Sequence, residues 1–172
     1  MADARAIGDL IPLSVRSLQD AFYTREQREA ALGTIFAVDR QLIRDGTYFV
    51  VETGGKIIGC GGWSRRRTLF GGDQGRDSED PQIDPATEPA RVRSFFVDPA
   101  WAQRGVATSI MMMCESAMVA AGFRTAIIVS TLAGMPLYAA FGYRVTGASA
   151  VPLDGGISFP VVTMARDFSR PV

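Results

Sequence analysis

Residues 91–122 read RVRSFFVDPAWAQRGVATSIMMMCESAMVAAG and divide into a strand, a short loop and a helix. Phe95, Phe96 and Val97 form an aromatic and β-branched run suited to a pleated strand. Asp98 and Pro99 end it, because proline has no N–H for a ladder and a fixed φ. From Gly105 onward, Val106, Ile110, Met113, Cys114, Ala117 and Ala121 recur at three- and four-residue steps, which predicts one face of a helix ending at Gly122. Between strand and helix lies Gln103-Arg104-Gly105-Val106-Ala107. Small residues let a ligand approach the backbone, and the first turn of a helix has four N–H groups without intrahelical partners. The aligned peptide dipoles favour negative charge there, and Arg104 adds a fixed cation, so a phosphate or pyrophosphate suits the site. An ordinary strand–loop–helix connection is the other reading of these five residues.

The composition narrows the chemistry. The chain has 172 residues, 47% hydrophobic and 21% charged, as expected of one globular domain. Eighteen basic residues balance eighteen acids, which argues against nucleic acid or an anionic membrane as the main partner. There is no histidine, so Ser-His-Asp and Cys-His catalysis are excluded, along with most zinc sites, and no metal is expected. Cys60 and Cys114 fall in a predicted strand and helix and read as buried hydrophobes. The N-terminus lacks a signal-peptide pattern and no long apolar run follows, so the cytoplasm is the expected location.

Ile11, Val15, Leu18 and Phe22 share one helical stripe and predict a helix over 9–23. Thr24-Arg25-Glu26-Gln27 has the form of a capping box that starts a second helix. Asp39 caps a short third turn through Leu42 and Ile43, closed by Gly46. Tyr48–Glu52 and Lys56–Trp63 form a hairpin through Thr53-Gly54-Gly55. Gly59, Gly61 and Gly62 in its second strand mark a bulge, a ligand approach or a tight helix crossing. Residues 65–90 open with Arg65, Arg66 and Arg67 and then turn acidic and rich in proline and glycine, a long acidic loop that is either functional or disordered. Thr125–Val129 is a strand after Gly122, giving a βαβ unit with a parallel pair. Residues 135–141 form a short helix capped by Gly142. Two last strands, 143–151 and 157–165, turn at Leu153-Asp154-Gly155-Gly156.

This order of elements resembles the GCN5-related N-acetyltransferase (GNAT) family. Ala102-Gln103-Arg104-Gly105-Val106-Ala107 is similar to its Q/R-x-x-G-x-G/A signature, and Leu137-Tyr138-Ala139-Ala140-Phe141-Gly142-Tyr143 to its L-Y-x-x-x-G-F/Y hallmark. Ala102 stands where the family favours Gln or Arg, and Thr131 where asparagine is common. No clear strand precedes the first helix. The resemblance covers about 9–166 and implies one α/β (α+β) acetyltransferase domain over 1–172. Its sheet is mixed, mostly antiparallel and twisted, with a splayed parallel pair and flanking helices.

The resemblance also implies the chemistry, which is acetyl transfer from acetyl-CoA to an amine of a small molecule or protein by direct attack. The implied cofactor-binding residues are Phe96, Val97, Gln103, Arg104, Gly105, Val106, Ala107, Thr108 and Thr131. The pyrophosphate rests on the backbone of 103–108 and the pantetheine arm pairs with the open strand edge. A bulge near Val97 turns an N–H toward the thioester oxygen. Tyr138 is the implied general acid for the departing thiolate, since a phenol is protonated at neutral pH; spacing alone favours a core-edge tyrosine packed against Leu137 and Phe141, and the motif reverses that preference. Glu52, Asp73, Asp98 or a water chain stand as candidates for the base. The acceptor belongs against the N-terminal helices and the loop after Trp63. It is cationic if Asp77, Glu79 and Asp80 face it, and anionic if Arg65–Arg67 do. The family often forms dimers, so a homodimer is the implied assembly. Competing readings are a non-catalytic acyl-CoA-binding regulatory module of the same fold, and a nucleotide-binding βαβ protein, although the loop lacks G-x-G-x-x-G and the Walker lysine.

Overall fold

The computed structural model describes residues 3–70 and 80–169. Helix α1 spans Ala4–Leu18 and buries Ile7, Leu10, Ile11, Ser14 and Val15 on one stripe. It begins and ends about five residues earlier than the stripe predicted. The chain leaves the helix after Leu18, so Phe22 lies beyond it and is 49% exposed. Pro12 sits inside α1. A helix-interior proline costs ~3 kcal/mol, and burial of Ile7, Leu10, Ile11 and Val15 at about 1.5–3 kcal/mol each outweighs it.

Helix α2, Arg25–Ala31, starts at the expected capping box: Thr24 Oγ1 accepts from the Gln27 N–H while Gln27 Oε1 accepts from the Thr24 N–H. Helix α3, Arg40–Arg44, is capped by Asp39, whose carboxylate accepts from the Leu42 N–H. Strands β1 (Tyr48–Thr53) and β2 (Lys56–Ser64) pair antiparallel through a turn in which Gly54 and Gly55 both have positive φ. Residues 71–79 of the acidic loop lie outside the described residues. Its flanks are tied together by an isolated bridge between Arg66 and Gln82.

Strand β3 is Ala90–Val97, helix α4 Val106–Ala120 and strand β4 Thr125–Ser130. Strands β3 and β4 are parallel, as the βαβ unit requires, but pair only at Ala90↔Ala126 and Arg91↔Ile127. Beyond those two positions they separate. Helix α5, Met135–Ala140, leads to β5 (Arg144–Pro152) and β6 (Ser158–Asp167). The six strands form one sheet in the order β1-β2-β3-β4-β6-β5, antiparallel except at β3/β4. The expected sheet is thus present, with no strand before α1 among the described residues.

Two cores cover the two faces. One packs α4 against the sheet through Val92, Ile110, Met111, Cys114, Met118 and Phe123. The other packs α1 through Ile7, Ile11, Val15, Phe36, Phe96 and Phe159. The α4 stripe is phased differently from the prediction: Met111 and Met118 are buried, while Met113 is 55% exposed. Tyr23 fastens the N-terminal helices to the far half of the sheet. Its hydroxyl donates to the Pro160 carbonyl and accepts from the Leu132 N–H, both at 2.8 Å, and its ring stacks on Phe159. Cys60 and Cys114 are buried free thiols, as read from their positions.

Candidate active site

The separation of β3 from β4 creates the site. A bulge interrupts β3: Cys60 pairs with Phe96 and Gly62 with Arg93, so Ser94 and Phe95 together face the single residue Gly61. Ser94 has a φ of 60°, and the Tyr48 hydroxyl donates to its carbonyl at 3.2 Å. The bulge therefore sits just upstream of the expected position near Val97. It also resets the alternation of side chains, sending Phe95 toward the α4 core and Phe96 toward the α1 core.

After Val97, Asp98 closes the strand. Its carboxylate accepts from the Ala100 N–H at 3.0 Å and pairs with Lys56 Nζ at 2.6 Å. The Lys56 ammonium, followed by the Ala100 N–H, holds the Asp98 carboxyl below its ordinary range. The loop then reaches α4 through Gln103, at φ 58°, and Gly105, at φ 83°. Gly105 is the residue before the helix and has no side chain to shield it. A glycine is needed there because its φ is strained for any residue with a Cβ. The N–H groups of Val106, Ala107 and Thr108 begin a helix of fifteen residues and face its mouth. The Arg104 guanidinium lies 5.3 Å over the Trp101 ring, an exposed cation beside those groups.

Two cavities adjoin in the splayed gap. The larger, of about 330 Å³, is lined by Val97, Gln103, Gly105, Val106, Ala107, Thr108, Thr131 and Tyr138 among others. The smaller, of about 90 Å³, lies toward the N-terminal helices and the loop after Trp63, with Phe36, Leu69, Phe70, Phe96 and Val129 in its wall. Of the predicted site residues, Phe96 thus lines the second cavity rather than the first, and Arg104 stands outside both. Thr131 borders both and caps the turn after β4, its Oγ1 accepting from the Gly134 N–H at 3.2 Å.

Four residues line both cavities: Gln19, Phe95, Thr131 and Tyr138. Tyr138 is 4% exposed, its ring edge-on to Phe95 and to Tyr143 at about 6 Å. Burial, with a smaller contribution from Cys114, pushes its phenol well above the ordinary tyrosine range, so it is protonated at neutral pH. Among the described residues no Asp or Glu lines either cavity. Glu52 is exposed on β1, Asp98 is held by Lys56, and Asp73 lies outside the described residues.

The charged segment is also accounted for in part. Arg66 forms a two-pronged pair with Asp45 at 2.7 and 2.9 Å, and Arg65 stacks over Trp63. Asp80 accepts from the Thr68 N–H, and Asp77 and Glu79 lie outside the described residues. Arg65–Arg67 line neither cavity; among the described residues the one arginine that does is Arg93, paired with Asp39 at 2.8 Å with both side chains fully enclosed. Gln19 and Ser14 are not expected at the site from the sequence, and Phe95 reads there as a strand residue alone. Gln19 and Ser14 carry no local signal, since α1 meets β3 only in the folded chain.

The family model for the acetyltransferase (GNAT) family matches residues 13–143. Comparison with curated proteins found no match. Among solved structures, the chain is similar to a GCN5-related N-acetyltransferase from Rhodopseudomonas palustris, at TM-score 0.70 and 17% identity, covering 96% of this chain and 90% of that one. It is similar to the PaiA N-acetyltransferase from Thermoplasma acidophilum in complex with coenzyme A, at 0.62 and 12%, covering 96% and 93%. It also resembles a GNAT superfamily phosphinothricin acetyltransferase from Sinorhizobium meliloti in complex with acetyl-CoA, at 0.62 and 18%, covering 96% and 83%. At such identities the likeness is one of fold. The family match over most of the chain, on a sheet whose parallel strands separate beside the first turn of α4, establishes that this protein belongs to the acetyltransferase (GNAT) family.

Proposed function

We propose that the protein is an acetyl-CoA-dependent N-acetyltransferase, working as one domain. The observation that carries this reading is the meeting of the two cavities at Tyr138. One side is bordered by a helix N-terminus suited to a pyrophosphate, the other by a largely apolar wall. The residues present fit acetyl-CoA. Gln103 and the N–H groups from Gly105 to Thr108 would hold the pyrophosphate, with Arg104 as a nearby cation. Val97 and Thr131 flank the path for the pantetheine arm. Bound there, acetyl-CoA supplies an activated acetyl thioester.

The reaction exchanges a C–S bond for a C–N bond. The acceptor nitrogen loses one proton and the released thiolate gains one. Tyr138, protonated at neutral pH and bordering both cavities, is the proton donor to the sulfur, and solvent restores its proton. Glu52 and Asp98 line neither cavity, and the amine proton passes to water.

The test is a melting assay followed by thiol release. Acetyl-CoA should raise the melting temperature where ATP and NAD do not, and thiol should appear only when an amine is added. No stabilisation by acetyl-CoA would overturn the reading. Stabilisation without thiol release for any amine would replace it with the non-catalytic acyl-CoA-binding module.

A further inference from the structure

Gln19 follows directly on α1. Its backbone is pinned: the N–H bonds to the Val15 carbonyl, and its own carbonyl accepts from the N–H groups of Phe22 and Tyr23 at 3.1 Å each. The residue lines both cavities at their junction and is only 8% exposed. Its amide oxygen is buried and has no hydrogen-bond partner among the described residues. Such an acceptor is costly to leave empty, and a donor brought into the junction would satisfy it. The other residues at the junction do not offer this. Phe95 is apolar, the Thr131 hydroxyl oxygen has the Gly134 N–H as a partner where Gln19 Oε1 has none, and Tyr138 is assigned as a donor.

The wall beyond Gln19 limits what can carry that donor. Ile35, Phe36, Leu69, Phe70, Val129 and Val161 make it largely apolar. Its one cation, Arg93, faces Asp39 at 2.8 Å, so its charge is already matched and a substrate carboxylate gains little from it. No carboxylate lines the described wall to receive a second ammonium group.

We propose that Gln19 binds the acceptor nitrogen, and that the acceptor is a primary amine on an uncharged apolar stem. This rests on the acetyl-transfer reading. One N–H of the neutral amine donates to Gln19 Oε1, which leaves the nitrogen lone pair directed at the acetyl carbon on the Tyr138 side. The C–N bond forms as the C–S bond breaks; the remaining amine proton goes to water, and the sulfur takes the Tyr138 proton.

The experiment compares isobutylamine, 2-phenylethylamine, spermidine and L-glutamate as acceptors by thiol release, in the wild type and in Gln19→Leu and Gln19→Asn. Acetyl-CoA affinity is measured separately by calorimetry. The apolar amines should exceed spermidine and glutamate in kcat/KM by at least about tenfold. Gln19→Leu should raise the KM for the amine about tenfold while acetyl-CoA affinity stays within about threefold. Gln19→Asn, which keeps the amide but retracts it, should show the same direction and guards against a misfolded leucine variant. Preference for spermidine or glutamate, equal use of all the amines, or an unchanged amine KM in both variants overturns the proposal while acetyl-CoA still binds. Loss of acetyl-CoA binding by the wild type instead overturns the acetyl-transfer reading beneath it.

Discussion

The Val97 amide donates to Ser14 Oγ at 3.1 Å, tying the end of β3 to the buried face of α1. Val97 is also where β3 has left β4, so its N–H belongs to the open edge that borders the larger cavity. Ser14 thus holds a donor that a bound pantetheine arm would compete for.

Replacing Ser14 with alanine should therefore destabilise the free protein by about 0.5–1.5 kcal/mol, the net worth of one partly buried hydrogen bond. The added stability from saturating acetyl-CoA should be larger in the variant, because the ligand then restores a partner. Chemical denaturation with and without acetyl-CoA measures both numbers. An equal ligand increment in the two proteins would show that Val97 does not meet the cofactor.

Tyr138→Phe keeps the ring contacts with Phe95 and Tyr143 and removes only the hydroxyl. Turnover should fall by roughly 10²-fold with little change in the KM for acetyl-CoA, in keeping with the usual worth of a general acid. The defect should shrink for thioesters whose thiolate leaves without protonation. Unchanged turnover with a good acceptor would remove Tyr138 from the chemistry.

Arg93, in the wall of the smaller cavity, and Asp39 form an ion pair with side chains 1% and 0% exposed. Asp39→Asn leaves the Arg93 guanidinium buried without its carboxylate and should cost about 3–5 kcal/mol. The double change Asp39→Asn with Arg93→Met should recover a substantial part of that loss. Urea unfolding of the single and double variants decides the matter; additive losses would mean the pair is not energetically coupled.

Asp45 is held below the ordinary aspartate range, chiefly by its hydrogen bonds from Arg66. A depressed carboxyl contributes stability above its unfolded value near 3.9, and loses that contribution as pH falls through its folded value. Arg66→Met should therefore move the acid-unfolding midpoint to higher pH, with little effect of pH between 6 and 8. An unchanged midpoint followed by circular dichroism would count against the pairing.

What the sequence disclosed was mostly local. The Thr24–Gln27 box, the Asp39 cap and the Gly54-Gly55 turn each act within a few residues, and all three formed as read. The βαβ unit was legible because a strand, a helix and a strand in that order have one preferred arrangement. Helix α4 was harder: Met111, Met112 and Met113 make it apolar on several faces, so spacing alone does not choose which is buried. The glycines of β2 proved to be sites of close packing. A Cβ on Gly59 would lie 2.3 Å from Val106 on α4, and one on Gly61 2.7 Å from the Phe95 ring. Tight helix crossing explains the first, whereas the second follows from a bulge in the neighbouring strand. That bulge also hid the exchange of Phe95 and Phe96 between faces, because a one-residue insertion inverts every alternation beyond it.

The Tyr23 hydroxyl joins partners 109 and 137 residues further along the chain. Contacts of such separation are slow to form, since a long loop must close before any of them is made. During synthesis, the N-terminal helices and the hairpin are complete while Pro160 is still absent, so α1 can pack on β2 and β3 but Tyr23 has no partner on the far half of the sheet until β6 arrives. The pocket walls contributed by α1 and by the turn after β4 are consequently brought together only near the end of folding. Catalytic competence should then lag behind the appearance of secondary structure, and a chain that stops before β6 would make helices and strands without making a site.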